Sequence, residues 1–147
     1  MEKDVVISIK GMQQYEDTDP DTIELVTAGR MQRVGKSYTL SYQESELTGL
    51  EGTLTTIQVE GEQVTLMRVG EFNAQMVFQE GRRHLSMYNT PYGAMAIGVN
   101  TRHLLADLND QGGDIEIDYA IEVDHAIAGR NIFQIKVTEA EGISLKQ

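Results

Sequence analysis

Ile115-Glu116-Ile117-Asp118-Tyr119-Ala120-Ile121-Glu122-Val123-Asp124 places an apolar or aromatic side chain at every odd position and an acid at every even one except Ala120. Successive side chains of a strand point to opposite faces, so this rhythm reads as one buried and one solvated face. A helix would instead repeat its apolar stripe with a period of about 3.6 residues. The same alternation opens the chain, where Val5, Ile7 and Ile9 oppose Val6, Ser8 and Lys10, and it returns near the end in Phe133, Ile135 and Val137. Both ends of the chain are therefore predicted to be strands.

Between them, extended segments are predicted over 22–34, 36–44, 50–60, 63–70, 74–80, 82–90, 93–101 and 113–128. Glycine marks the joints at Val34-Gly35-Lys36, Glu60-Gly61-Glu62, Gly70-Glu71-Phe72-Asn73, Glu80-Gly81-Arg82 and Ala128-Gly129-Arg130, as tight antiparallel turns require. Thr101-Arg102-His103-Leu104-Leu105-Ala106-Asp107-Leu108 has leucines at helical spacing, but it leads into the turn-like Asn109-Asp110-Gln111-Gly112-Gly113. It is read as extended and paired with 113–128. A sheet of about 8–10 antiparallel strands leaves two exposed edges unless it closes. The expected fold is thus all-β, a single antiparallel up-and-down β-barrel over 1–147. A two-sheet sandwich is the alternative, disfavoured by the regular hairpin spacing.

A chain of 147 residues is enough for one domain with a substantial core. Cysteine is absent, which removes disulfides, thiolate nucleophiles and Cys-ligated zinc. No apolar run spans a bilayer and Met1-Glu2-Lys3-Asp4 does not resemble a signal peptide, so a cytoplasmic location is expected. A net charge of −11 opposes binding to nucleic acid or anionic membranes. Arg82-Arg83-His84, the one dense basic cluster, is too small to form a phosphate groove.

Motifs that carry chemistry are largely absent. Asp17, Asp19 and Asp21 mimic the start of a calcium loop, but Thr22 stands where its glycine belongs and Ala28 where its glutamate belongs. His84, His103 and His125 lack the close spacing of zinc ligands. No nucleophile elbow, Walker loop or dinucleotide loop occurs, so no catalytic residue, cofactor or metal is expected. The acidic row Glu116, Asp118, Glu122 and Asp124 reads as a solvated strand face. One set remains: Tyr42, Glu44, Arg68, Gln75, His84, Tyr88, Thr90 and Tyr119 are polar or aromatic residues within strands. Any of them facing inward must sit in a hydrogen-bonded network or meet a bound polar group.

Several segments carry a family resemblance: Asp4-Val5-Val6-Ile7-Ser8-Ile9-Lys10-Gly11, Ser41-Tyr42-Gln43-Glu44, Leu47-Thr48-Gly49-Leu50-Glu51-Gly52-Thr53, Gln75-Met76-Val77-Phe78, Tyr88-Asn89-Thr90-Pro91-Tyr92-Gly93 and Gly112-Gly113-Asp114-Ile115-Glu116-Ile117-Asp118-Tyr119. Across nearly its whole length the chain resembles an uncharacterised bacterial family of calycin-like β-barrels, the YwiB-like proteins. That resemblance implies a calycin or lipocalin-like barrel and conveys no activity. The chain has no tryptophan and hence no Gly-x-Trp lipocalin entry motif. The resemblance adds interest to Arg68, Gln75, Tyr88, Thr90 and Tyr119 and implies no role for them.

The leading expectation is a non-enzymatic barrel that binds a small polar or amphipathic ligand inside or at one mouth. Arg68 would serve as an anion anchor, with Tyr42 and Tyr88 as walls. The alternative is a solid-cored interaction module or homodimer. An enzyme comes third, with His84 and Glu44 as its best pair.

Overall fold

Alternating polarity produces ten strands: β1 (Glu2–Gln14), β2 (Asp21–Val34), β3 (Ser37–Gln43), β4 (Thr53–Glu60), β5 (Gln63–Gly70), β6 (Ala74–Gln79), β7 (Arg83–Thr90), β8 (Gly93–Asn109), β9 (Gly112–Val123) and β10 (Ala126–Glu139). The computed structural model describes residues 1–14, 19, 21–45, 50–70, 73–90, 93–123 and 126–140, with only the backbone of 87–90, 94 and 95. Each strand pairs antiparallel with its sequence neighbours, and β1 pairs with both β2 and β10, so the meander closes on itself. The ladders are long everywhere except between β6 and β7, which share the single register pair Ala74↔Tyr88. There the hairpin tip leans on β8 instead: the Gly81 N–H donates to the Thr101 carbonyl at 2.9 Å, and the Thr101 N–H to that of Arg82 at 3.2 Å.

The predicted extended reading of 101–108 is correct, because this stretch continues β8 and pairs with β9. A register shift between Thr101 and His103 marks a bulge there. Two expectations fail. The segment 113–128 is not one strand, since β9 ends at Val123 and β10 begins at Ala126, its register partner. Ala128-Gly129-Arg130 is not a turn: Gly129 lies inside β10 beside a register shift, so its glycine serves a bulge. The calcium-like acidic loop and His125 lie mostly or wholly outside the described residues.

The interior is graded along the barrel axis. One end holds the short connections 35–36, 61–62, 80–82 and 110–111, and below them Val5, Met31, Val64, Phe78, Val99 and Val137 are fully or almost fully buried. Across this end Asp110 accepts from the Tyr38 hydroxyl at 2.8 Å and from Arg33 Nη1 at 3.1 Å. These bonds fasten the β2–β3 hairpin to the β8–β9 turn, with β10 and β1 between them. The other end carries the connections 15–20, 44–52, 71–73, 91–92 and 124–125, and among the described residues its interior keeps a cavity.

Gly113 shows how tightly the ladder beside the closed end is built. Its φ is +142°, and a Cβ there would lie 2.0 Å from the Asp107 carbonyl oxygen. Gly113→Ala is expected to lower stability by at least about 3 kcal/mol, since left-handed strain and a backbone clash add. Gly35, at φ +62° with open space around it, should lose only about 1 kcal/mol as Gly35→Ala. Urea titration with the slope held constant measures both.

Candidate functional site

The inward positions of β3, β4, β5 and β10 become more polar toward the open end. Leu40 gives way to Tyr42 and Glu44; Val59 and Ile57 to Thr55 and Thr53; Val64 and Leu66 to Arg68; Val137, Ile135 and Phe133 to Asn131. Register aligns these changes. Tyr42 stands opposite Thr55, and Thr55 opposite Arg68, so one row of polar side chains runs across β3, β4 and β5.

That row surrounds a buried carboxylate. Glu44 follows directly on β3, its N–H donating to the Thr53 carbonyl at 2.9 Å, and its side chain is only 1% exposed. The Thr55 hydroxyl donates a short hydrogen bond to Glu44 Oε2, and Arg68 Nε lies 3.7 Å from the same oxygen. A buried carboxylate needs this company, because an isolated charge in such a site is strongly disfavoured. Arg68 is less fully engaged. Its side chain is 18% exposed, yet its Nε is buried and has no hydrogen-bond partner among the described residues. Burial, and secondarily the Glu44 carboxylate, push the Tyr42 phenol well above its usual pKa, with Arg68 acting in the opposite sense. Tyr42 is therefore a neutral hydroxyl.

These groups border a cavity of about 360 Å³ in the open half. Leu25, Ile57, Leu66, Met76, Ile121 and Ile135 form much of its apolar wall, while Tyr42, Glu44, Arg68, Gln13 and Asn131 supply its polar side. Tyr119 belongs to the same lining, and its ring touches Phe78 and Phe133, with centroids 4.8 and 5.8 Å away. Phe78 is fully buried in the plugged half, so the aromatic trio marks the boundary between packed and hollow interior.

The structure thus gathers Tyr42, Glu44, Arg68 and Tyr119 of the residues singled out in the sequence. It does not bring the rest to the cavity. Gln75 is exposed, because β6 turns Met76 and Phe78 inward and so sends Gln75 out. His84 is half-buried, faces Gln79 Oε1 at 3.3 Å, and does not line the cavity. Tyr88 and Thr90 lie in β7 by backbone, and their side chains are outside the described residues. Thr55, absent from the sequence-derived set, is the direct partner of Glu44. Placing Thr53, Thr55, Ile57 and Val59 in one inward phase would have found it. Within the basic cluster, Arg83 is tied down, its Nε 2.9 Å from Glu122 Oε1. Among the described residues no three His, Asp or Glu side chains group as metal ligands, and no helix is long and apolar enough to cross a membrane.

Ten antiparallel strands closed as a meander, plugged at one end and hollow at the other, define a β-barrel protein with an internal polar cluster. The chain belongs to the family described as a domain of unknown function, DUF1934, whose profile matches residues 7–135. It is 28% identical over 108 residues to the "Uncharacterized beta-barrel protein YwiB" of Bacillus subtilis (strain 168), covering 74% of this chain and 75% of that one. The crystal structure of the ywiB protein from Bacillus subtilis superposes with a TM-score of 0.83 at 22% identity, over 95% of this chain and 93% of the other, a likeness of fold.

The Tyr42 environment has a pH signature. An unfolded chain ionises its phenols near pH 10, whereas the folded state keeps Tyr42 protonated beyond that point. Above it the native state binds more protons than the unfolded state, so stability falls as pH rises. Denaturation at about pH 9 and pH 11 is expected to show a fall that is smaller in Tyr42→Phe than in the wild-type chain.

Proposed function

We propose that this chain is a non-enzymatic, small-ligand-binding barrel that receives a polar or amphipathic molecule in its open half. The observation that carries the reading is the junction of a 360 Å³ cavity with a buried Arg68 Nε that has no hydrogen-bond partner among the described residues. A barrel built only for stability would fill such space with side chains and would give the buried Arg68 Nε a hydrogen-bond acceptor. The cavity size falls within the range of small-molecule sites, and an apolar wall with a few convergent polar groups is their usual composition. The calycin-like character implied by the sequence resemblance and a cytoplasmic location belong to the same proposal. His84 and Glu44 offer no basis for an enzymatic role, because His84 is engaged with Gln79 and lies outside the cavity lining.

A second reading, an interaction or homodimer module, draws support from the outer surface. Leu54 and Val69 are cross-strand partners on the outside of β4 and β5, and Met67 lies beside them, all three exposed. Such a patch suits a protein partner.

Gentle purification followed by mass spectrometry of released small molecules tests the first reading. A discrete compound is expected from the wild-type protein, depleted at least about tenfold in Arg68→Ala, the loss expected when a charged hydrogen-bond donor to a ligand is removed. Absence of any released compound, together with no binding of a fluorescent amphipathic probe by the empty protein, would show the reading to be wrong. Light scattering under the same conditions reports whether the chain is a dimer.

A further inference from the structure

Resting on the ligand-binding reading above, we infer that the molecule held beside Arg68 carries an uncharged head with a hydrogen-bond acceptor, such as an amide carbonyl, on an apolar body. The charge balance of the site excludes the obvious anion. Glu44, 1% exposed and 3.7 Å from Arg68 Nε, already neutralises the guanidinium. A carboxylate entering beside Arg68 would stand close to a second, buried carboxylate, and like charges in a poorly solvated space oppose each other strongly. The whole molecule acts in the same direction, since its net charge of −11 repels anions on approach.

A cation fares no better. The one buried carboxylate of the cluster is occupied by the Thr55 hydroxyl and by Arg68, so an ammonium group would meet the guanidinium without a counter-charge of its own. What the site offers is donors. A guanidinium has five N–H groups, and the Nε of Arg68 is without a hydrogen-bond partner among the described residues. A neutral carbonyl accepts from such a group without disturbing the balance between Arg68 and Glu44. Behind it, Leu25, Leu66, Met76, Phe133 and Ile135 provide an apolar wall for a short chain or ring.

Isothermal titration of the full chain at neutral pH with octanamide, octanoate and octylamine separates the cases. These probes share a tail and differ in head charge. Octanamide is expected to bind at least about tenfold more tightly than either ion, because only it leaves no uncompensated charge in the cavity. In Glu44→Gln the guanidinium loses its counter-charge, and octanoate is expected to overtake octanamide. Tightest binding of octanoate or octylamine by the wild-type chain, or equal binding of all three, overturns the inference and leaves the ligand-binding reading standing. An unchanged preference for octanamide in a folded Glu44→Gln also overturns it. Failure of the wild-type chain to bind any of the three overturns both. If circular dichroism shows Glu44→Gln to be unfolded, the wild-type ranking decides alone.

Discussion

Everything in this molecule depends on β1 having hydrogen-bonded neighbours on both sides. Its ladder to β10 runs from Val5↔Glu139 to Gln14↔Arg130, and its ladder to β2 from Glu2↔Gln32 to Gln13↔Asp21. Without that double pairing, ten strands would form an open sheet with two bare edges and no interior. Closure converts one face of every strand into a wall around a common space. How the space is filled then follows from which side chains each strand turns inward, level by level.

Hydrophobic burial and electrostatics divide that space. In the closed half, packing of Val5, Met31, Val64, Phe78 and Val137 provides the apolar burial that stabilises the domain. In the open half, Glu44 and Arg68 sit where burial alone would be unfavourable, and they are tolerated because each moderates the other's charge and Thr55 supplies a hydrogen bond. The connections at the closed end are all short, whereas the two longest, 15–20 and 44–52, lie at the other end beside the short 71–73, 91–92 and 124–125. Solid apolar packing and a buried polar cluster are thereby assigned to opposite ends of one barrel.

Much of the fold was legible because polarity alternation is a local signal. Ile115, Ile117 and Tyr119 are buried, and the glycine turns at 34–36, 60–62 and 80–82 fall between strands as read. Gly129 misled for a physical reason: glycine serves bulges as well as turns, and the two are identical over three residues. The site was half legible. Tyr42, Glu44, Arg68 and Tyr119 are chemically conspicuous in strands, but their meeting depends on register between strands, which no single segment encodes. Gln75 was misplaced although its own strand held the answer, since Met76 and Phe78 fix the inward phase. Thr55 escaped notice because threonine is an ordinary strand residue, and only its partner gives it meaning.

The row Tyr42, Thr55 and Arg68 has one more consequence, for how the chain finds its native pairing. Sliding β4 or β5 by two residues would preserve the inside and outside of every strand, so hydrophobicity alone barely distinguishes the slipped hairpin from the correct one. Such a slip would, however, carry Arg68 away from Glu44 and leave a nearly fully buried carboxylate without its counter-charge. The buried pair therefore works as a registration pin, penalising near-native misalignments that greasy side chains would forgive.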